Sequence, residues 1–351
     1  MITKLHALLF YLTLNLSTVL ADDVAIHHAP IGVMGDHLHN KDEWMISMRI
    51  TQMTMQGNIL NGKNLSDSEI LEQPNPFLSI PNMPTKLSVI PQNMSMRMFM
   101  LGVMYAPTNS LTLMGMSMFE DKGMKLNTHQ GMMTRQYLGS FKTSTLGLSN
   151  VSITGLYKLH KNSNTRSHLH LGFQKGVGKN AVTASVLTPM NSQSTVTLPY
   201  GMQTSDRSAR IIYGITNVST FKNFVLGNQL IFNTPVSTDP WHFGDSRNIN
   251  SWIQKAVNNQ LSLSCRLNYR IEDSITGEDP TIMAAVQTAN ARNYGGKILS
   301  LGLGANTVFN LFGGKHGDRL AVEWILPISQ HKNGLQMKDS FVMTIGYQKS
   351  F

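Results

Sequence analysis

The chain has 351 residues, of which 14% are charged and 41% hydrophobic, a length that leaves one large domain or two ordinary ones open. Its single cysteine, Cys265, excludes an internal disulfide and a thiolate metal cage. The formal charge of +9 comes without any basic run interleaved with aromatics, so nucleic acid is not an expected partner, and the excess suits anionic lipid head groups or an anionic pore content.

Residues 1–21 read as a secretory signal peptide: Lys4 in a short n-region, an apolar run from Leu8 to Leu20, and Val19-Leu20-Ala21 before Asp22-Asp23. No cysteine follows that site, so a lipid anchor is not expected. Beyond it no apolar run approaches the ~20 residues a membrane helix needs. Residues 22–42 carry His27, His28, Met34, Asp36, His37 and His39 and are expected to form a short periplasmic segment without a strand.

From residue 43 onward the apolar residues alternate. A period of two places them on one face of a β-strand. On 43–57, Trp44, Ile46, Met48 and Ile50 share one face, and Met45, Ser47, Arg49, Thr51, Met53 and Met55 the other. On 93–106 the outward parity is Phe99, Leu101, Val103 and Tyr105, which turns Met94, Met96, Met98, Met100 and Met104 inward. On 110–120 Leu111, Leu113 and Phe119 face out, and Met114, Met116 and Met118 face in. The turn Ala106-Pro107-Thr108-Asn109 joins these two runs, and pairing about it sets Met100 beside Met116 and Met98 beside Met118.

Further strands are expected at 151–160, 167–177, 208–217, 221–232, 250–258, 260–271, 297–309, 318–328 and 338–351. The total is about twelve, and an even count returns both ends of the chain to the periplasm. Short turns at 106–109, 161–166, 217–220 and 258–260 alternate with long loops at 58–92, 121–150, 178–207, 233–249 and 272–296, the asymmetry of a membrane barrel. Outward rows such as Phe224, Leu226, Leu230 and Phe232 fit lipid and not the wet face of a soluble sandwich. The expected fold is therefore all-β, a transmembrane antiparallel barrel over 43–351 in a bacterial outer membrane. The end Phe341-Val-Met343-Thr-Ile345-Gly-Tyr347-Gln-Lys-Ser-Phe351 is similar to the C-terminal signal read by the barrel-assembly machinery, with Lys349 departing from the usual apolar residue.

Ala29-Pro-Ile-Gly-Val-Met34-Gly-Asp-His37-Leu-His39, Glu43-Trp-Met-Ile-Ser-Met-Arg49, Phe99-Met-Leu-Gly-Val-Met-Tyr105-Ala-Pro-Thr and Leu111-Thr-Leu-Met-Gly-Met together resemble a family of bacterial outer-membrane proteins. These are usually labelled transporters and are related to the outer-membrane proteins of the meta-pathway of phenol degradation. The resemblance implies an outer-membrane barrel with a transport role, and an association with copper-handling genes. Where relatives carry a Gly-Leu-Gly-Asp turn, this chain has Gly147-Leu-Ser-Asn150.

Seventeen of the 23 methionines fall between residues 34 and 133. Thioethers are soft, neutral ligands suited to Cu(I), and a row of weak sites suits conduction. The same polarizable surface would also serve hydrophobic or aromatic solutes, or merely fill space. The candidate metal residues are thus Met53, Met55, Met94, Met96, Met98, Met100, Met104, Met114, Met116, Met118, His27, His28, His37 and His39, with Cu(I) as the candidate ion. The main expectation is passage or binding of soft metal, and the alternative a passive channel for hydrophobic or aromatic small molecules. His168 and His170, at i and i+2, read as polar lining. No nucleophile elbow, HExxH or phosphate loop is present, Gly302 and Gly304 precede no helix, and catalysis is not expected.

Overall fold

The structure is a computed structural model, and it describes residues 24–131, 134–236, 239–310 and 317–351. The signal peptide lies outside the described residues. Twelve long strands follow the chain: β1 Trp44–Leu60, β2 Val89–Thr108, β3 Leu111–His129, β4 Tyr137–Lys161, β5 Thr165–Gly176, β6 Ala209–Thr220, β7 Phe224–Pro235, β8 Ser246–Ala256, β9 Leu261–Glu272, β10 Gly296–Phe309, β11 Asp318–Lys332 and β12 Gln336–Ser350. Each pairs antiparallel with its chain neighbours, and β12 returns to β1 from Met45↔Ser350 to Ile59↔Gln336. The sheet is a closed barrel of twelve strands. Closure matters because hydrocarbon cannot hydrogen-bond an open strand edge.

Alternation sorts the side chains as the sequence implies. Trp44, Ile46, Met48 and Ile50 are exposed on the outside of β1, whereas Met45, Ser47, Arg49, Thr51 and Met53 are buried in the lumen. Leu101, Val103, Leu171, Leu303 and Trp324 continue the outer apolar band. Trp44 stacks on Tyr105 of the next strand at 4.4 Å near the periplasmic rim, where aromatic rings bridge lipid and water. Cys265 lies on the outer parity, between the exposed Leu263 and Leu267.

Two expectations about the barrel wall give way. The β2–β3 hairpin pairs Met100 with Met118, Met98 with Glu120 and Met104 with Met114, two residues away from the register expected from the turn. Thr108 pairs with Leu111 and the ladder slips between Tyr105 and Thr108, because Pro107 cannot donate to the ladder and its surplus residue bulges out. The loop expected at 121–150 is mostly strand: β3 and β4 stay paired from Phe119↔Leu148 to His129↔Tyr137. Both faces of this extension are largely polar, and without lipid beside it no apolar row marks it in sequence.

On the extracellular side the long loops fold inward instead of standing free. A short helix, α1 Asp67–Leu71, opens with a capping box between Ser66 and Glu69. Leu198, Tyr200, Met202, Trp241, Ile282, Val286 and Ala289 from three loops pack with Met94, Met124 and Met337 of the wall into one buried cluster. Tyr200 meets Trp241 edge-to-face at 4.8 Å.

The N-terminal segment differs most from its expectation. Residues 24–43 run inside the periplasmic half of the lumen instead of hanging below it. The Ala25 N–H donates to the Asn259 carbonyl at 2.9 Å, Gln254 donates to the His28 carbonyl at 2.6 Å, and Gln229 donates to the Met34 carbonyl at 2.8 Å. The Gly32 N–H donates to Glu323 Oε2 at 2.8 Å. A Cβ on Gly32 would overlap the Arg266 guanidinium and the Glu323 carboxylate, so any larger residue would have to displace that ion pair. His168 Nε2 meets the Gly35 carbonyl at 2.8 Å, which makes that lumenal histidine an anchor for the segment.

Candidate functional site

Because β1, β2 and β3 are adjacent, their inward methionines meet across the ladder. Met45 pairs with Met104 and Met104 with Met114; Met53 pairs with Met96; Met55 pairs with Met94 and Met94 with Met124. Met100 pairs with Met118, and Met98, between Thr51 and Glu120, completes the inward row. All ten methionines singled out from the sequence thus have lumenal parity. The lowest layer, Met45, Met104 and Met114, is buried with Leu156 against Leu38 of the plug. Three further residues of this wall, Met124, Met202 and Met337, escaped notice: one sits in the unanticipated strand extension, one in a loop, and one across the barrel closure.

The lumen above the plug holds a succession of cavities. The outer vestibule, about 720 Å³, is lined by Val89, Leu126, Phe141, Val186, Leu198 and Val286, among others. Met124, Pro199 and Met202 line both this vestibule and the next cavity inward, of about 460 Å³, whose wall includes Met53, Met55, Met94, Met96 and Met118. Met118, Asn150 and Arg270 in turn line both that cavity and a third, of about 540 Å³, whose floor is Ile31, Gly32 and Met34 of the plug. Sulfur therefore accompanies the path from the loops to the plug, along one side.

The opposite side is polar and basic. Arg266 donates to Glu323 from Nε at 2.7 Å and from Nη2 at 3.0 Å, and Arg270 donates to Asp339 at 3.1 Å. Within the sulfur-lined side itself, Lys122 and Glu120, which lie across the ladder from Met96 and Met98, form a buried ion pair at 2.8 Å. Pairing of this kind holds charges inside a wall that would otherwise repel them. Arg49, Arg266 and Arg270 were not among the residues chosen from the sequence, although the inward parity of Arg49 was visible there.

In the plug, His28, His37 and His39 come together, with ring centroids 5.6 Å apart for the first pair and 4.9 Å for the second. His27 is exposed. Burial pushes His39 down to about 4, with the charge of His37 adding to it and Glu43 opposing. Burial likewise lowers His28 well below the usual histidine range, helped by the Arg319 charge. Burial alone would raise the Asp36 carboxyl, yet the charges of His37 and Arg319 and hydrogen bonds from His37 and the Ala29 N–H hold it well below the ordinary range. Among the described residues, no group of three or more His, Cys, Asp and Glu is arranged to hold a metal ion.

The crystal structure of an outer-membrane channel from Pseudomonas putida F1 superimposes on this architecture with a TM-score of 0.56 at 12% identity, covering 91% of this chain and 99% of that one. The fold and its place are those of a bacterial outer-membrane barrel. Weaker overlaps are a Pseudomonas aeruginosa FadL homologue (TM-score 0.41, 7% identity, 95% and 98% of the two chains) and a mutant of the TodX monoaromatic hydrocarbon channel (0.42, 11%, 90% and 92%). No protein-family model matches the sequence, and no curated protein matches it. The likeness is thus one of fold, and the phenol-pathway and copper associations implied by the sequence resemblance have no family match behind them.

Proposed function

We propose that the barrel is a channel for small hydrophobic, in particular aromatic, molecules. The observation that carries this reading is the succession of cavities from an apolar vestibule, past Met124 and Met202, along a methionine wall to the plug. Thioethers are polarizable and flexible, make favourable contacts with aromatic rings, and bind none of them tightly enough to trap it. A solute leaves by displacing the plug, which is held by separate contacts, the polar ones and the packing of Ile26, Ala29 and Val33 against Val218, Val225 and Trp252, and not by a continuous strand. The Pseudomonas putida protein of the same fold is itself an outer-membrane channel. Uptake of radiolabelled toluene by cells with an intact lipopolysaccharide barrier tests the reading. Cells with the chain should take it up several-fold faster than cells without it, and equal rates would refute it.

The lumenal alignment of the methionines favours a second reading, in which the cargo is a soft ion such as Cu(I). Met45, Met104 and Met114 would then supply a thioether layer. Replacing Met96, Met98, Met100, Met114, Met116 and Met118 by Leu preserves volume and removes the soft donors. If Ag(I) binding falls while toluene uptake holds, these sulfurs bind the ion and are not needed by the aromatic solute; unchanged Ag(I) binding removes these six methionines from the metal reading.

A further inference from the structure

We infer that the third cavity is a binding site for a small anion with an apolar body, of which an aromatic monocarboxylate is the type, held at its carboxylate by Arg49 and at its ring by Met100, Met116 and Met118. This rests on the channel reading and names the class of solute that the lumen selects.

Among the described residues, three arginines and no carboxylate line this cavity of about 540 Å³. Two of them are answered by acids outside the cavity lining: Arg266 by Glu323 at 2.7 and 3.0 Å, and Arg270 by Asp339 at 3.1 Å. Arg49 is not. It is 6% exposed, its Nη1 reaches only the Val33 carbonyl at 3.4 Å, and its Nε is buried without a hydrogen-bond partner. The acids whose charges act on it are committed elsewhere, Asp36 to the Ala29 N–H and His37, and Glu323 to Arg266 and the Gly32 N–H. A buried guanidinium with unfilled donors is costly, and its planar fork matches a carboxylate.

The same residue fixes the other half of the ligand. Met100 lies directly across the ladder from Arg49, Met118 lies across from Met100, and Met116 projects from the same face of β3. A carboxylate on Arg49 therefore sets its ring against three thioethers. Inorganic anions would satisfy the charge and leave the methionines unused; neutral aromatics would do the reverse. The floor of the cavity is the plug, and Arg49 already touches the Val33 carbonyl, so a carboxylate on Arg49 competes with a plug contact.

Calorimetry on the purified full chain in detergent at neutral pH, with benzoate, benzamide and acetate as probes, tests the site. Wild type should bind benzoate about tenfold or more tightly than either benzamide or acetate, because only benzoate makes both the charge-assisted hydrogen bond and the sulfur contact. Arg49→Gln should reduce benzoate to the level of benzamide and leave benzamide unchanged, while Arg49→Lys keeps part of the preference. Equal binding of benzoate and benzamide by wild type, or of benzoate and acetate, overturns the inference, and this comparison decides it even if Arg49→Gln fails to assemble. A chain that binds benzoate with the expected preference, yet leaves toluene uptake of cells unchanged, upholds this site and refutes the channel.

Discussion

Arg49 and Met100 are direct cross-strand partners on the inner face of the barrel, so a positive charge and a thioether occupy the same level of the lumen. Their pairing follows from strand register alone, since both lie on the inward parity of neighbouring strands. Arg49 thus sets a guanidinium within the sulfur-lined wall, across the lumen from Arg266 and Arg270.

Orientation of the methionine ladder is open to chemical labelling. In lipid bilayers Met96→Cys is expected to react with a water-soluble maleimide, and Leu101→Cys, on the opposite parity of β2, is not. The native Cys265, which shares the outer face with Leu263 and Leu267, should stay unlabelled and serves as the internal control. Labelling of Leu101→Cys with protection of Met96→Cys would reverse the barrel.

Glu323 joins wall and plug, because its fully buried carboxylate accepts from Arg266 and from the Gly32 N–H. Glu323→Ala strands the Arg266 charge and should cost about 3–5 kcal/mol, seen as a lower unfolding temperature together with faster hydrogen exchange at the Gly32 amide. Adding Arg266→Met should recover much of the stability, since removing both charges is far cheaper than removing one. An unchanged unfolding temperature in Glu323→Ala would deny the pair this role.

The plug should loosen in acid. His39 titrates near 4 when docked, against roughly 6.5 for a free histidine, so the unfolded state takes up the proton first. The contribution of His39 is fully present above about pH 6.5 and is lost as pH falls toward 4, by the order of 3 kcal/mol at most. His28 acts in the same direction, and Asp36, held low, adds a further loss only below the ordinary carboxylate range. Unfolding temperatures measured between pH 8 and pH 4 should therefore fall in wild type and fall less in His39→Gln. A slope identical in the two proteins would show that His39 does not set it.

Most of the barrel was legible because lipid imposes a two-sided pattern: Phe99, Leu101 and Val103 must face out, and Met98 and Met100 must then face in. That rule loses force where lipid ends. The β3–β4 extension around Asp121 and Lys125 has polar residues on both faces, and its pairing shows only in three dimensions. The hairpin register turned on where Pro107 puts its bulge, a local choice that spacing does not reveal. The plug was illegible for another reason. Its contacts, such as Gly32 to Glu323 across 291 positions and Gln229 to Met34, are long-range hydrogen bonds with no period, so an irregular segment rich in histidine looked like a tail.

The most direct test of passage through the methionine-lined lumen is toluene uptake in cells carrying Met118→Trp, because Met118 lines both the second and third cavities. With equal amounts of folded barrel in the outer membrane, Met118→Trp should return uptake to the rate of cells that lack the chain. Uptake at the wild-type rate would contradict a route through the lumen.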